Sequence, residues 1–227
     1  MSTLLLKPFA SDIHYRGQYS QVSLTLVTSF FSVFEKSLTS FSVYGTSLND
    51  LKVEGATLSD LHLTCSLPKV STTLRFYLDR MEIDLARVNQ IGEVAAIEIA
   101  RRAWAIVEAA DANVRFLYHE VTLDTHADLL GGSAKEFIER YVSVPPVFGM
   151  NAMSAVIFTT GSGVGGGDVQ ASRVILDRSL VKEGALYTRI YIKLEGGSVS
   201  FERVGERAFQ FITSTFEQLG LKMEQPA

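Results

Sequence analysis

The amino-acid sequence predicts an α+β fold of two similar halves, each an antiparallel sheet with a β-hairpin–helix–strand unit packed on one face. Three observations carry this expectation. Residues 187–194 alternate with a period of two, residues 209–219 repeat apolar positions at helical spacing, and the same succession occurs earlier, over 72–123. The halves are expected at 1–143 and 144–227, packed as one unit.

The later unit covers 185–224. Ile190, Ile192 and Leu194 face one way and Tyr187, Arg189, Tyr191 and Lys193 the other, as in a half-buried antiparallel strand. Glu195-Gly196-Gly197 is expected to turn, because glycine adopts positive φ without steric cost. Ser198-Val199-Ser200-Phe201 would then return as the partner strand. Phe209, Ile212, Phe216 and Leu219 fall on one stripe of a helix, Gly220 suits the left-handed position beyond its end, and Leu221-Lys222-Met223 closes the unit as a strand.

The earlier unit follows the same grammar. Leu74, Phe76 and Leu78 share a face opposite Arg75 and Tyr77, and a turn at Asp79-Arg80 leads into a strand over 82–85. A helix over 92–110 carries Ile97, Ala100, Trp104 and Val107 at the spacing of the later helix, and 114–123 reads as the closing strand. Arg75-x-Tyr77 thereby lines up with Arg189-x-Tyr191. The likeness is one of pattern rather than identity.

Between and before these units the signals are shorter. A strand is expected within 10–19, a helix over 23–39 built on Phe30, Phe31 and Phe34, and strands within 42–53 and 56–67. Residues 124–130 read as irregular. Ser133 with Glu136 three residues on is a capping box for a short helix over 133–141. Val144-Pro145-Pro146-Val147-Phe148-Gly149 forbids regular structure and marks the crossover between halves. Strands are expected over 154–160 and 170–181.

Composition bounds the function. With 47% apolar and 20% charged residues the 227-residue chain has the makings of a folded globule, not a disordered one. Net charge is −4, and basic against acidic residues number 6 and 5 in 1–75, 7 and 12 in 76–150, and 8 and 8 in 151–227. No segment is basic, so phosphate-driven nucleic-acid binding has no support. The lone Cys65 shares a face with Leu61, Leu63 and Leu67, which reads as a buried core thiol in a reducing compartment. The N-terminus lacks a signal-peptide pattern and the most apolar window, 22–34, is too short to span a bilayer, so a cytoplasmic location is expected and no membrane partner.

Three constellations are candidate sites. The run Gly161-Ser162-Gly163-Val164-Gly165-Gly166-Gly167 satisfies G-x-G-x-x-G after a strand, but extended sequence follows instead of a helix and no lysine completes a P-loop. An anion nest of backbone N–H groups at Gly161, Ser162, Gly163, Gly165 and Gly166, with Arg173 supplying charge, is the form such a loop would take, against a plain connection between strands. Asp124-x-His126-x-Asp128 offers oxygen and imidazole ligands for a divalent metal, against polar residues of an ordinary loop; His119 reads as a satisfied core histidine. Arg75, Tyr77, Tyr187, Arg189, Tyr191 and Lys193 line the outward strand faces, where Tyr and Arg suit a protein interface, stacked bases, or plain solvation.

No G-x-S-x-G elbow is present, the four histidines are scattered, and no cofactor motif stands out. The residues point to a non-catalytic binding or assembly protein acting through its surface, with a protein partner or a second copy. The alternative is a small-anion or nucleotide-binding protein or enzyme using the Gly161–Gly167 loop. A third reading, an RNA-binding or RNA-processing protein, arises because two small α+β halves with a glycine-rich loop are similar to endonucleases of the CRISPR repeat-cutting type. The loop lies well before the C-terminus and the acidic balance differs, so no residue is carried over.

Overall fold

The computed structural model describes residues 3–23, 35, 40–88, 93–142, 155–160, 169–197 and 200–224. In chain order its elements are β1 (Leu4–Tyr19), β2 (Leu51–Glu54), β3 (His62–Leu67), β4 (Thr72–Tyr77), β5 (Arg80–Leu85), α1 (Glu93–Ala110), β6 (Phe116–Leu130), α2 (Ala134–Glu139), β7 (Val156–Thr160), β8 (Val169–Arg178), β9 (Leu186–Glu195), α3 (Phe201–Gln218) and β10 (Leu221–Met223). The described strands form one sheet in the order β2-β3-β4-β5-β1-β6-β9-β8-β7, and β10 pairs parallel with the start of β1. Every other pairing is antiparallel. The fold is a sheet-dominated α+β architecture.

The central pair is β1 with β6, 16 and 15 residues long, matched from Leu5↔Leu130 to Tyr19↔Phe116. Both alternate in burial along most of their length. Ile13, Tyr15 and Tyr19 of β1, with His119, Val121, Leu123, Ala127 and Leu129 of β6, are buried on the inner face. Residues 124–130, expected to be irregular, are thus the second half of a long strand. Their inner positions, Thr125 and Ala127, are small or polar, which mutes the apolar alternation by which a strand is read.

Helices α1 and α3 pack on the inner face. The more deeply buried is α1, through Ala96, Ile99, Ala103, Trp104, Ile106, Val107 and Ala110, whereas α3 buries the single stripe Val204, Ala208, Ile212 and Phe216. The two helices meet over an aromatic cluster beneath the central pair. Phe116 is its hub, 4.3 Å from Trp104, 4.4 Å from His119 and 5.7 Å from Phe201 between ring centroids.

The first hairpin, β4–β5, forms as expected. The second differs. Phe201 is the first residue of α3, with Ser200 as its extended N-cap, and β9 pairs with β8 and β6. A four-residue alternation is too short to separate a strand from a helix entry. The turn expected at 195–197 is present, but Gly196 serves it in another way. Its φ lies outside the left-handed range, and what it supplies is room, since a Cβ there would collide with the Phe116 carbonyl. Gly220 does take positive φ, 71°, at the end of α3.

Elsewhere, the capping box holds. Ser133 Oγ accepts from the Glu136 N–H and the Glu136 carboxylate accepts from the Ser133 N–H, both at 3.2 Å. Residues 42–50 carry two short 3-10 turns, Ser42–Tyr44 and Leu48–Asp50, rather than a strand, before β2. The helix expected over 23–39 and the proline segment 144–149 lie largely outside the described residues, although Glu35, Ser40 and Phe41 are helical. The sheet is continuous across the expected 143/144 boundary, because β6 is hydrogen-bonded to β9. Among the described residues no helix is long and apolar enough to cross a membrane.

Candidate functional site

With the helices on one side, the other face of the sheet is left half exposed, and the strand register builds it row by row. Residues directly opposite each other across a ladder point the same way. Arg75 of β4 lies opposite Glu82 of β5, which lies opposite Arg16 of β1, then Glu120 of β6, then Lys193 of β9. One row across five strands therefore reads plus, minus, plus, minus, plus. The next row runs Thr73, Asp84, His14, Thr122, Tyr191, Arg173 and Thr159.

These side chains are knitted together. Arg189 grips Asp124 with two hydrogen bonds, Nε to Oδ1 at 2.6 Å and Nη2 to Oδ2 at 3.1 Å, while the Tyr187 hydroxyl donates to the same carboxylate. Tyr191 Oη donates to Glu120 Oε1 at 2.8 Å, and Lys193 Nζ sits 3.7 Å from the centre of the Tyr118 ring. On the other flank Arg80 covers the Tyr77 ring at 3.6 Å, with His62 stacked on Tyr77 at 4.4 Å. Asp84 joins His14 and Arg75. Burial pushes the Asp84 carboxyl up, but the hydrogen bonds from His14 and Arg75 outweigh it and hold the group below the usual carboxylate range. The Tyr187 and Tyr191 hydroxyls are raised by burial first and then by their carboxylate partners, so both remain donors at neutral pH.

All six residues expected on the outward strands are on this face, but in two groups. Arg75 and Tyr77 lie on β4, separated from Tyr187, Arg189, Tyr191 and Lys193 of β9 by β5, β1 and β6. At ~4.8 Å per ladder the groups are about 19 Å apart. The residues that join them, His14, Arg16, Glu82 and Glu120, were not read as part of an outward face in the sequence. The available signal was the polar run at every second position, Asp12-x-His14-x-Arg16-x-Gln18 and Tyr118-x-Glu120-x-Thr122-x-Asp124.

Asp124, His126 and Asp128 lie in a line along the outer face of β6, each turned to a different neighbour. Asp124 is held by Tyr187 and Arg189, His126 Nδ1 meets Ser179 Oγ at 2.9 Å, and Asp128 accepts from Lys182 Nζ at 2.7 Å. Among the described residues no group of three or more His, Cys, Asp or Glu side chains is gathered closely enough to hold a metal ion. Gly161, Ser162, Gly163, Gly165 and Gly166 fall outside the described residues, and the strands they join, β7 and β8, are antiparallel neighbours. Arg173 is exposed on the outer face, where it pairs with Tyr191 across the ladder. His119 is fully buried with the Tyr15 hydroxyl 2.9 Å from its Nδ1, and Cys65 is fully buried, its thiol pushed up to about 12 by desolvation. No known family model and no curated protein matches the chain.

Proposed function

We propose that this is a non-catalytic binding protein that assembles through the open face of its sheet, with a second copy of the chain as partner. The observation that supports this is the row Arg75–Glu82–Arg16–Glu120–Lys193 and its flanking Tyr and Arg side chains. A row of alternating sign is complementary to itself when displaced by one strand, so two such faces can stack with four of the five charges in each row opposite a counter-ion. A polyanion such as RNA would meet a repelling group beside each attracting one along the row, which disfavours the RNA reading. Near the β7 edge the charged rows give way to Ile157 opposite Ile175, with Tyr187 and Tyr191 alongside on β9, and aromatic and aliphatic anchors of this kind carry most of the energy in protein interfaces. Since β8 and β9 each run ten residues, roughly 33 Å, the face is large enough for the ~800 Å² that one partner of a stable complex buries.

The same reading extends to a duplicated architecture. Outward from the centre, the strands run β1, β5, β4, β3 and β2 on one flank and β6, β9, β8 and β7 on the other, so the first flank carries one strand more, and a long helix follows β5 and β9 alike. In that correspondence β9 answers to β5, one strand away from the pairing of Arg75-x-Tyr77 with Arg189-x-Tyr191.

Light scattering on the purified chain tests the assembly. The expected mass is twice the 25.0 kDa of one chain, falling to a single chain in the double variant Ile157→Glu, Arg173→Glu. A wild-type protein that remains a monomer at the highest concentration attainable, or a dimer indifferent to that variant, sinks the proposal.

A further inference from the structure

The inner face of the β7–β8–β9 flank holds a cavity of about 600 Å³ between the sheet and α3. Its floor is mixed. Val169, Val174 and Leu194 supply apolar surface, while Thr160 of β7 and Ser172 of β8, register partners across the ladder, supply two hydroxyls. Aromatic side chains line it as well: Phe211 of α3, Phe158 of β7 and Tyr141, which donates to the Leu219 carbonyl at 3.1 Å and meets Phe158 edge-on at 5.6 Å. Arg207 is the one charged side chain among the described lining residues, and it is exposed and already has a partner. The described lining therefore joins aromatic surface to neutral hydroxyls and brings no uncommitted charge.

The two hydroxyls set the polarity of the site. Thr160 Oγ1 and Ser172 Oγ are hydrogen-bonded to each other, and such a pair spends only one of its two O–H groups. The second O–H has no acceptor among the described residues, although Ser172 is only 3% exposed. A donor at that depth is costly to leave unmade. On the α3 side Ser214 spends its proton on the Phe211 carbonyl at 3.0 Å, which leaves its oxygen to accept.

We propose that this cavity binds an uncharged aromatic ligand carrying a carbonyl or amide group, its ring against Tyr141, Phe158 and Phe211 and its carbonyl oxygen accepting the unspent O–H of the Thr160–Ser172 pair. Phe158 and Thr160 are same-face neighbours about 7 Å apart along β7, within reach of a fused two-ring aromatic and a carbonyl on its rim. The volume falls within the ~300–1,000 Å³ of ordinary small-molecule sites, and a largely apolar pocket with a few placed polar groups is their usual chemistry. A carboxylate of the same shape would shed its water without gaining an uncommitted cation, and this selects the neutral ligand over the anion. The site lies on the inner face, apart from the surface proposed for assembly.

Titration of the whole chain into naphthalene-2-carboxamide, followed by the fluorescence of the ring, tests this. One saturable site is expected, and naphthalene-2-carboxylate, the same shape with a charge, should bind at least about tenfold more weakly. Removing one hydroxyl frees the other to donate, so Thr160→Val and Ser172→Ala should each stay within about twofold of wild type. The double variant has no donor left and should bind the amide about fivefold more weakly, the scale of one neutral hydrogen bond. Ser214→Trp should fill the cavity and abolish binding with the wild-type unfolding midpoint retained, and Gln210→Trp does the same from a more exposed position should the first variant fold poorly. Absence of saturable binding, a carboxylate bound as tightly as the amide, a double variant that binds like wild type, or undiminished binding in both tryptophan variants overturns the assignment.

Discussion

The two flanks of the central β1–β6 pair, four strands on one side and three on the other, have opposite interiors. On the β3–β4–β5 side the inner residues Leu63, Cys65, Leu67, Leu74 and Phe76 are sealed, with Phe41 fully buried among them and α1 pressed down by seven buried side chains. On the β7–β8–β9 side α3 commits four residues to the core and leaves a cavity of about 600 Å³ between itself and the outer strands. A sheet-and-helix layer can therefore be sealed on one flank and left open on the other, according to how many side chains its helix commits to the core.

Matched truncations on the two flanks give the largest expected effect. Phe76 is 1% exposed and Phe158 is 36% exposed. Phe76→Ala should cost ~3–5 kcal/mol, the range for emptying a packed aromatic site, while Phe158→Ala should stay within ~1 kcal/mol, since a partly solvated side chain leaves no closed cavity. Urea midpoints of both variants are the measurement, and equal losses would break the contrast between the flanks.

The region the flanks share is tested by Gly17→Ala. Gly17 lies in the inward register of β1, and a Cβ there would overlap the Phe116 ring and the Tyr15 hydroxyl. The Phe116 carbonyl in turn lies close against Gly196, so the backbone that carries the hub of the aromatic cluster is tightly packed as well. A loss of ~1–3 kcal/mol is expected, the range for overpacking. A stability unchanged from wild type would mean that Phe116 is not the fixed point at which α1, α3 and the central strands meet.

These contrasts separate what could be read along the chain from what could not. Local periodicity was enough for β9, α1, most of α3 and the Ser133–Glu136 cap, because each signal is complete within a few turns or alternations. Strand order was not legible, since the defining contacts are remote. Tyr15 meets His119 across 104 residues, and Arg16 and Glu120 become neighbours only when two long strands pair. The candidate face was found at its margins, on β4 and β9, where β-branched and aromatic residues advertise a strand. Its centre, His14, Arg16, Glu82 and Glu120, lies on stretches that read as strands, and it was missed because only the pairing of β5, β1 and β6 brings those residues into adjoining rows. The cavity under α3 had a partial signal, the polar positions beside the apolar stripe of that helix, but a solvated helix face reads identically until the sheet is seen beneath it.

The smallest expected effect concerns the sealed flank's side of the outer face. His14 is raised by its hydrogen bond to Asp84, with burial opposing, and the charges of Asp84 and Glu82 outweigh that of Arg75. A group raised on folding contributes stability in full below its unfolded value, 6.5, and loses it as pH rises through the folded value. Asp84 is held down, so its contribution is present above 3.8 and is lost as pH falls through its folded value. The triad of His14, Asp84 and Arg75 is therefore complete between those limits. Because His14 is about half exposed, solvent screens the pair and the effect should remain below ~1 kcal/mol. His14→Gln should accordingly be less stable than wild type near pH 5 and indistinguishable from it near pH 9. A difference that persists undiminished at pH 9 would show that His14 acts through packing on the strand rather than through its charge, and the electrostatic reading of this corner of the face would fall.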